Sequence, residues 1–102
     1  MSLENIYLNP KDVYYTSYDL SFVTGDSPIT LNIKTTLGRR ANEGYIHNFG
    51  SGALSFSLSA NGTDFGNEIY LPIGDRFLFD RMNVSKIRLT WVADTSYEVF
   101  AL

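Results

Sequence analysis

The stretch Ala53–Gly74, ALSFSLSANGTDFGNEIYLPIG, decides how the rest of the chain is read. From Leu54 to Ser59, Leu54, Phe56 and Leu58 alternate with Ser55, Ser57 and Ser59. A period of two sends successive side chains to opposite faces of an extended backbone, so the segment predicts a strand with one apolar and one polar face. After the polar, glycine-bearing NGTDFG, the apolar beat resumes at Ile69, Leu71 and Ile73. Two such runs around Asn61-Gly62 predict a hairpin, because that dipeptide accepts positive φ, although the connection is longer than a two-residue turn. On this reading Leu54, Phe56 and Leu58 pair with Ile69, Leu71 and Ile73, and the serines form a smooth polar outer face. Phe65 tucks back over the hairpin end and Asp64 caps local amides.

The same period runs outward in both directions. Ile29, Leu31 and Ile33 alternate with Thr30, Asn32 and Lys34 behind the turn-forming TGDSP. Phe77 and Phe79 flank Leu78 after Gly74-Asp75, as in a short strand buried on both faces, and Ile87, Leu89 and Trp91 alternate with Arg88 and Thr90. Tyr97 to Leu102 reads as a last strand. Turn signals recur at Gly25, Gly50-Ser51-Gly52, Asn61-Gly62, Gly74, Asn83 and Asp94, and no segment carries a long helical stripe. Short alternating runs broken at this rhythm predict an all-β fold: a single antiparallel β-sandwich, jelly-roll or immunoglobulin-like, with about seven or eight strands. Its expected core is Leu31, Ile33, Phe56, Leu58, Ile69, Leu71, Leu89 and Trp91. Residues 1–18, with tyrosines around Pro10, read as an aromatic arm or edge strand, since proline is confined to edges or loops. Residues 19–102 form the sandwich, and residues 35–44, TTLGRRANEG, read as its longest exposed loop.

At 102 residues the chain makes one domain, and 44% apolar against 19% charged residues is globular composition. Aromatic residues reach 15%, with seven Tyr, seven Phe and one Trp. The absence of cysteine rules out disulfides, thiolate metal sites and a cysteine nucleophile. A net charge of −3 and a pI near 4.9 argue against nucleic acid as a partner, since phosphate binding wants clustered Lys and Arg. No apolar run approaches a membrane span, and MSLENIYLNPKD lacks the basic and apolar regions of a secretory signal, so neither membrane nor export is expected.

Candidate chemistry is sparse. Gly25-Asp26-Ser27 matches the nucleophile block of GDS-type esterases, but the single histidine, His47, has Gly44 where a D-x-x-H spacing needs its aspartate. A serine without a base is not activated, so no catalytic residue is expected and the protein reads as non-enzymatic. One imidazole without Cys or a second His makes no zinc cage, and His47 reads as a strand residue between Ile46 and Asn48. Asp64, Glu68, Asp75 and Asp80 are oxygen donors of the kind calcium takes, in no EF-hand spacing. No metal or other cofactor is therefore expected. Asn61-Gly62-Thr63 and Asn83-Val84-Ser85 fit the N-glycosylation pattern and, without a secretory signal, read as turn chemistry. Tyr7, Tyr14, Tyr15 and Tyr18 supply large, rigid contact area, and Arg39 and Arg40 offer forked donors to an acidic partner, so these six are the expected partner-binding residues.

From residue 38 onward the order of strands and turns resembles the small all-β accessory structural proteins of tailed-phage virions, of the head-decoration, neck and tail-attachment type. The resemblance rests on Ile46-His47-Asn48, Leu54–Leu58, Asn61–Phe65, Gly74-Asp75, Asp80, Val84–Leu89 and Tyr97-Glu98-Val99. It covers about 60 residues, contains no signature side chain, and has no counterpart for the aromatic N-terminal third. It implies a virion component such as a capsid decoration protein, made in the host cytoplasm, that binds the capsid or another virion protein. Self-association through edge strands and the arm follows from it, as a homo-oligomer with a trimer preferred. The alternative is a carbohydrate-binding β-sandwich module of a receptor-binding or cell-wall protein, using its exposed tyrosines.

Overall fold

A computed structural model describes residues 15–22, 28–91 and 95–102, the first of these segments as backbone only. Among the described residues the order is β1 (Tyr15–Phe22), β2 (Ile29–Asn32), α1 (Ile33–Leu37), β3 (Gly44–Asn48), β4 (Leu54–Ser59), β5 (Ile69–Leu71), β6 (Arg76–Phe79), β7 (Lys86–Trp91) and β8 (Thr95–Ala101). They make two four-stranded antiparallel sheets, β1-β8-β3-β6 and β2-β7-β4-β5. The pairing is nested: β1 lies beside β8, β2 beside β7, β3 beside β6 and β4 beside β5. One long hairpin, rolled until β8 also meets β3 and β7 also meets β4, gives this arrangement. It is the strand order of an eight-stranded jelly roll, which settles the choice against the immunoglobulin-like alternative.

The core lies between the sheets. Ile46, Phe79, Tyr97, Val99 and Ala101 from the first sheet meet Leu31, Leu54, Phe56, Leu71, Ile87, Leu89 and Trp91 from the second. Phe77 packs its ring 4.8 Å from that of Phe56, joining the two layers. Burying each such side chain is worth about 1.5–3 kcal/mol, which is the main term holding the layers together. Of the expected core, Leu31, Ile33, Phe56, Leu71, Leu89 and Trp91 are buried, and Leu58 packs against the core from a half-buried position. Ile69 is the exception, 42% exposed, because β5 is a three-residue strand that, among the described residues, has no neighbour on its outer side.

Several local expectations are corrected. Ile33 is buried, but it opens α1 instead of continuing β2. Lys34 N–H leaves the strand ladder to donate to Ser85 O at 3.0 Å, and Gly38, at φ 78, closes the helix in the left-handed conformation that glycine adopts without strain. Residues 35–44 are therefore not one exposed loop: Leu37 is buried, Ala41 bridges Val84, and Gly44 begins β3. In β6, Phe79 is buried whereas Leu78 is 36% exposed, so this strand has one wet face.

The hairpin forms with fewer pairs than its sequence suggests. Leu54 pairs with Leu71 and Phe56 with Ile69, but Ile73 lies beyond Pro72, outside the strand. The serines are not a uniform wet face either, since Ser57 and Ser59 are buried. Residues 60–66 fold back along β4, with Gly66 N–H donating to Leu58 O at 3.0 Å. Phe65 then lies 4.3 Å from the guanidinium of Arg88, the cross-strand partner of Ser57. The cap of this turn is Asn61, whose Oδ1 accepts from the N–H groups of Thr63 and Asp64 at 2.8 Å each, while Asp64 accepts from Asn61 Nδ2.

Candidate functional site

Edges β1 and β2 bound one side of the sandwich, and edges β5 and β6 bound the other. Those expected partner-binding residues that fall within the described segments belong to the first side. Tyr7 and Tyr14 lie outside the described residues, and Tyr15 and Tyr18 are placed as backbone in edge strand β1. The segment that carries Arg39 and Arg40 follows α1, which lies beside β1. Both arginines are exposed, with Arg39 Nη1 donating to Arg40 O at 3.2 Å.

The second side is where apolar surface collects. The chain crosses from β5 to β6 through Pro72–Asp75, and along it Ile69, Ile73 (59% exposed) and Leu78 face solvent. Among the described residues, neither strand has a partner on its outer edge. Sequence periodicity places Ile69 in the core and Ile73 on the same apolar face, because it cannot tell an edge strand from a central one.

A buried polar node fixes this crossing. Asn48, fully buried at the end of β3, donates from Nδ2 to Gly52 O at 2.9 Å and to Leu71 O at 3.1 Å, and accepts at Oδ1 from Gly50 N–H at 3.2 Å. Thr95 Oγ1 lies 2.6 Å from Gly52 O and 2.9 Å from Asn48 Oδ1, its one proton serving either acceptor. The Asn48 backbone donates to Asp75 O at 3.0 Å and accepts from Gly74 N–H at 2.8 Å. One side chain thus ties β3, the 49–53 turn, β5 and the start of β8. Gly50 is required there, since a Cβ would stand 2.1 Å from Ser96 N. Nothing in the sequence singles out Asn48 beyond an asparagine ahead of a glycine-rich turn.

The outer face of the first sheet carries a second polar cluster. Tyr45 O–H donates to Glu98 Oε1 at 2.8 Å, the Tyr45 ring stacks with Phe100 at 5.9 Å, and the Arg76 guanidinium sits 5.0 Å from its centroid. Burial, and then the bond and negative charge of Glu98, push the Tyr45 phenol up to about 12, with Arg76 acting weakly the other way. A phenol so held is a hydrogen-bond donor, not a base. His47 stands in the neighbouring row, between Arg76 and Glu98 in register, with its ring 5.6 Å from Phe49. Among the described residues, no three His, Asp or Glu side chains converge as metal ligands, so Asp64, Glu68, Asp75 and Asp80 form no common site.

On the outer face of the second sheet a pocket of about 180 Å³ opens, lined by Ala53, Leu54, Ser55, Glu68, Tyr70, Thr90 and Trp91. Register explains it: Ser55 pairs with Tyr70 on one flank and Thr90 on the other, so three strands contribute one row of side chains to one face. Compared with known proteins, the chain matches no family model, no curated protein and no solved structure. The fold and these surfaces define an all-β sandwich of jelly-roll order with an apolar open side and a small outer-face pocket.

Proposed function

We propose that the chain is a non-enzymatic structural and assembly protein, a tailed-phage virion component of the capsid-decoration type. It binds the particle and associates with copies of itself. The observation that carries this reading is the β5–β6 side, where Ile69, Ile73 and Leu78 are exposed between two strand edges that have no partner among the described residues. An unpaired edge offers a row of N–H and C=O groups to another chain, and flanking apolar side chains reward its arrival by losing contact with water. The strand order supports the same reading by analogy, because jelly rolls recur in viral capsid and lectin domains. The strand-and-turn pattern from Ile46 to Val99 adds its likeness to virion accessory proteins. The partner is a capsid or other virion protein, self-association closes with cyclic symmetry as a trimer, and the protein resides in the virion after synthesis in the host cytoplasm.

Light scattering on the purified chain, alone and mixed with virion shells, tests the reading. The native chain is expected to form a closed oligomer and to load onto shells. The double variant Ile73→Glu/Leu78→Glu is expected to be monomeric and unbound, with circular dichroism and thermal midpoint near those of the native chain. A native chain that stays monomeric and ignores the shells overturns the proposal.

A further inference from the structure

The pocket on the second sheet has a chemistry that the β5–β6 side lacks. Tyr70 is 65% exposed and stands at one end of the row, with the half-buried hydroxyls of Ser55 and Thr90 beside it. Neither hydroxyl has a side-chain hydrogen bond among the described residues. Glu68, exposed and just ahead of β5, brings a carboxylate to the same opening. No cationic side chain lines it.

We propose that this pocket binds one ring of a neutral sugar, a hexopyranose unit within or at the end of a glycan. Such a ring has an apolar face of C–H groups and a rim of hydroxyls, and the pocket offers a surface for each. The Tyr70 ring takes the C–H face, as amphipathic aromatic side chains do at wet interfaces. The Glu68 carboxylate accepts from sugar hydroxyls in charge-assisted bonds, while Ser55 and Thr90 both donate and accept. At about 180 Å³ the space falls below the roughly 300–1,000 Å³ of sites for drug-sized ligands, which limits it to a single ring. The lone negative charge in the lining, on a chain of net charge −3, disfavours phosphorylated and uronic sugars. The site lies on a sheet face and the apolar side on strand edges, so sugar binding stands or falls independently of assembly.

Heteronuclear NMR of the full chain, titrated with the methyl glycosides of glucose, galactose, mannose and N-acetylglucosamine and with methyl glucuronide, tests it. At least one neutral glycoside is expected to bind in the millimolar range, moving the amide resonances of Ser55, Glu68, Tyr70 and Thr90. Tyr70→Ala is expected to weaken that binding about tenfold or more, and Glu68→Gln and Thr90→Val several-fold each. Tyr70 is mostly exposed, so its loss leaves the remaining spectrum in place and reports on the site alone. Methyl glucuronide is expected to bind more weakly than methyl glucoside. If no neutral glycoside moves these four resonances, or if binding survives Tyr70→Ala, the pocket is not a sugar site.

Discussion

The Asn48 node and the β5–β6 side are neighbours with inverted chemistry. In the node, polar groups are fully buried and their hydrogen bonds are made within the chain. On the adjoining side, Ile73 and Leu78 are exposed beside strand edges that have no partner among the described residues. The two are mechanically joined, because the Asn48 backbone holds both Gly74 and Asp75, the residues that follow Ile73. The difference teaches how an apolar protrusion is kept in shape. A buried hydrogen-bonded hub fixes the turn, so the docking proposed for the exposed isoleucine would order little further backbone.

The largest expected effect comes from breaking the hub. Asn48→Ala removes a buried donor from Leu71 O, leaves Gly52 O with Thr95 Oγ1 alone, and strips the half-buried Gly50 N–H of its acceptor. The predicted loss is about 3–4 kcal/mol of unfolding free energy, read by urea denaturation. A loss below about 1 kcal/mol would mean that water enters and satisfies these groups, and the hub would then not fix the turn.

The cluster around Tyr45 sharpens the contrast, since it is a polar arrangement on an outer face. Tyr45→Phe removes the bond to Glu98 and is expected to cost about 1 kcal/mol at neutral pH, less than the node because Glu98 keeps access to water. Its pH dependence has a definite sign. The phenol titrates at 10.0 in the unfolded chain and at about 12 in the folded one. The unfolded state therefore releases its proton first, so the contribution of Tyr45 is fully present below pH 10 and is lost as pH rises toward 12. Denaturation midpoints measured through this window should fall more steeply for the native chain than for Tyr45→Phe. Parallel slopes would remove Tyr45 from the account.

Much of the fold was legible because alternation is a direct image of the pleat. Leu54 and Phe56, and Leu89 and Trp91, announce buried faces, Tyr97 to Leu102 announces a last strand, and together they define a sandwich. The nested pairing was not legible, since a period of two does not say which strand lies beside which. That gap explains the surfaces that sequence reading missed. Ser55, Tyr70 and Thr90 become one row only once β4 is known to lie between β5 and β7. Ser57 looks like its neighbour Ser55, yet it is buried because the turn after Ser59 folds back toward Arg88. Ile33 keeps the alternating beat and its burial, while the helix it opens is dictated by Gly38 and by the Lys34–Ser85 bond. Asn48 carried no periodic signal, because its role depends on residues up to 47 positions away.

The smallest effect on stability, and the sharpest test of the comparison, is expected at Ile73. It is 59% exposed, follows Pro72 outside the strand, and takes no part in the buried core cluster. Ile73→Ser should therefore change unfolding free energy by less than about 0.5 kcal/mol, as surface substitutions do. If the side is a docking surface, the same change should lower the association constant of the oligomer by about tenfold, measured by light scattering across a dilution series, because one apolar anchor is lost from a pre-set position. The node variant should behave in the opposite way, with stability falling first and association only as a consequence of the turn loosening. An Ile73→Ser protein that unfolds readily would place this residue in the core after all. One that is stable and associates as tightly as the native chain would move the partner surface to the β1–β2 side, where Arg39 and Arg40 stand exposed.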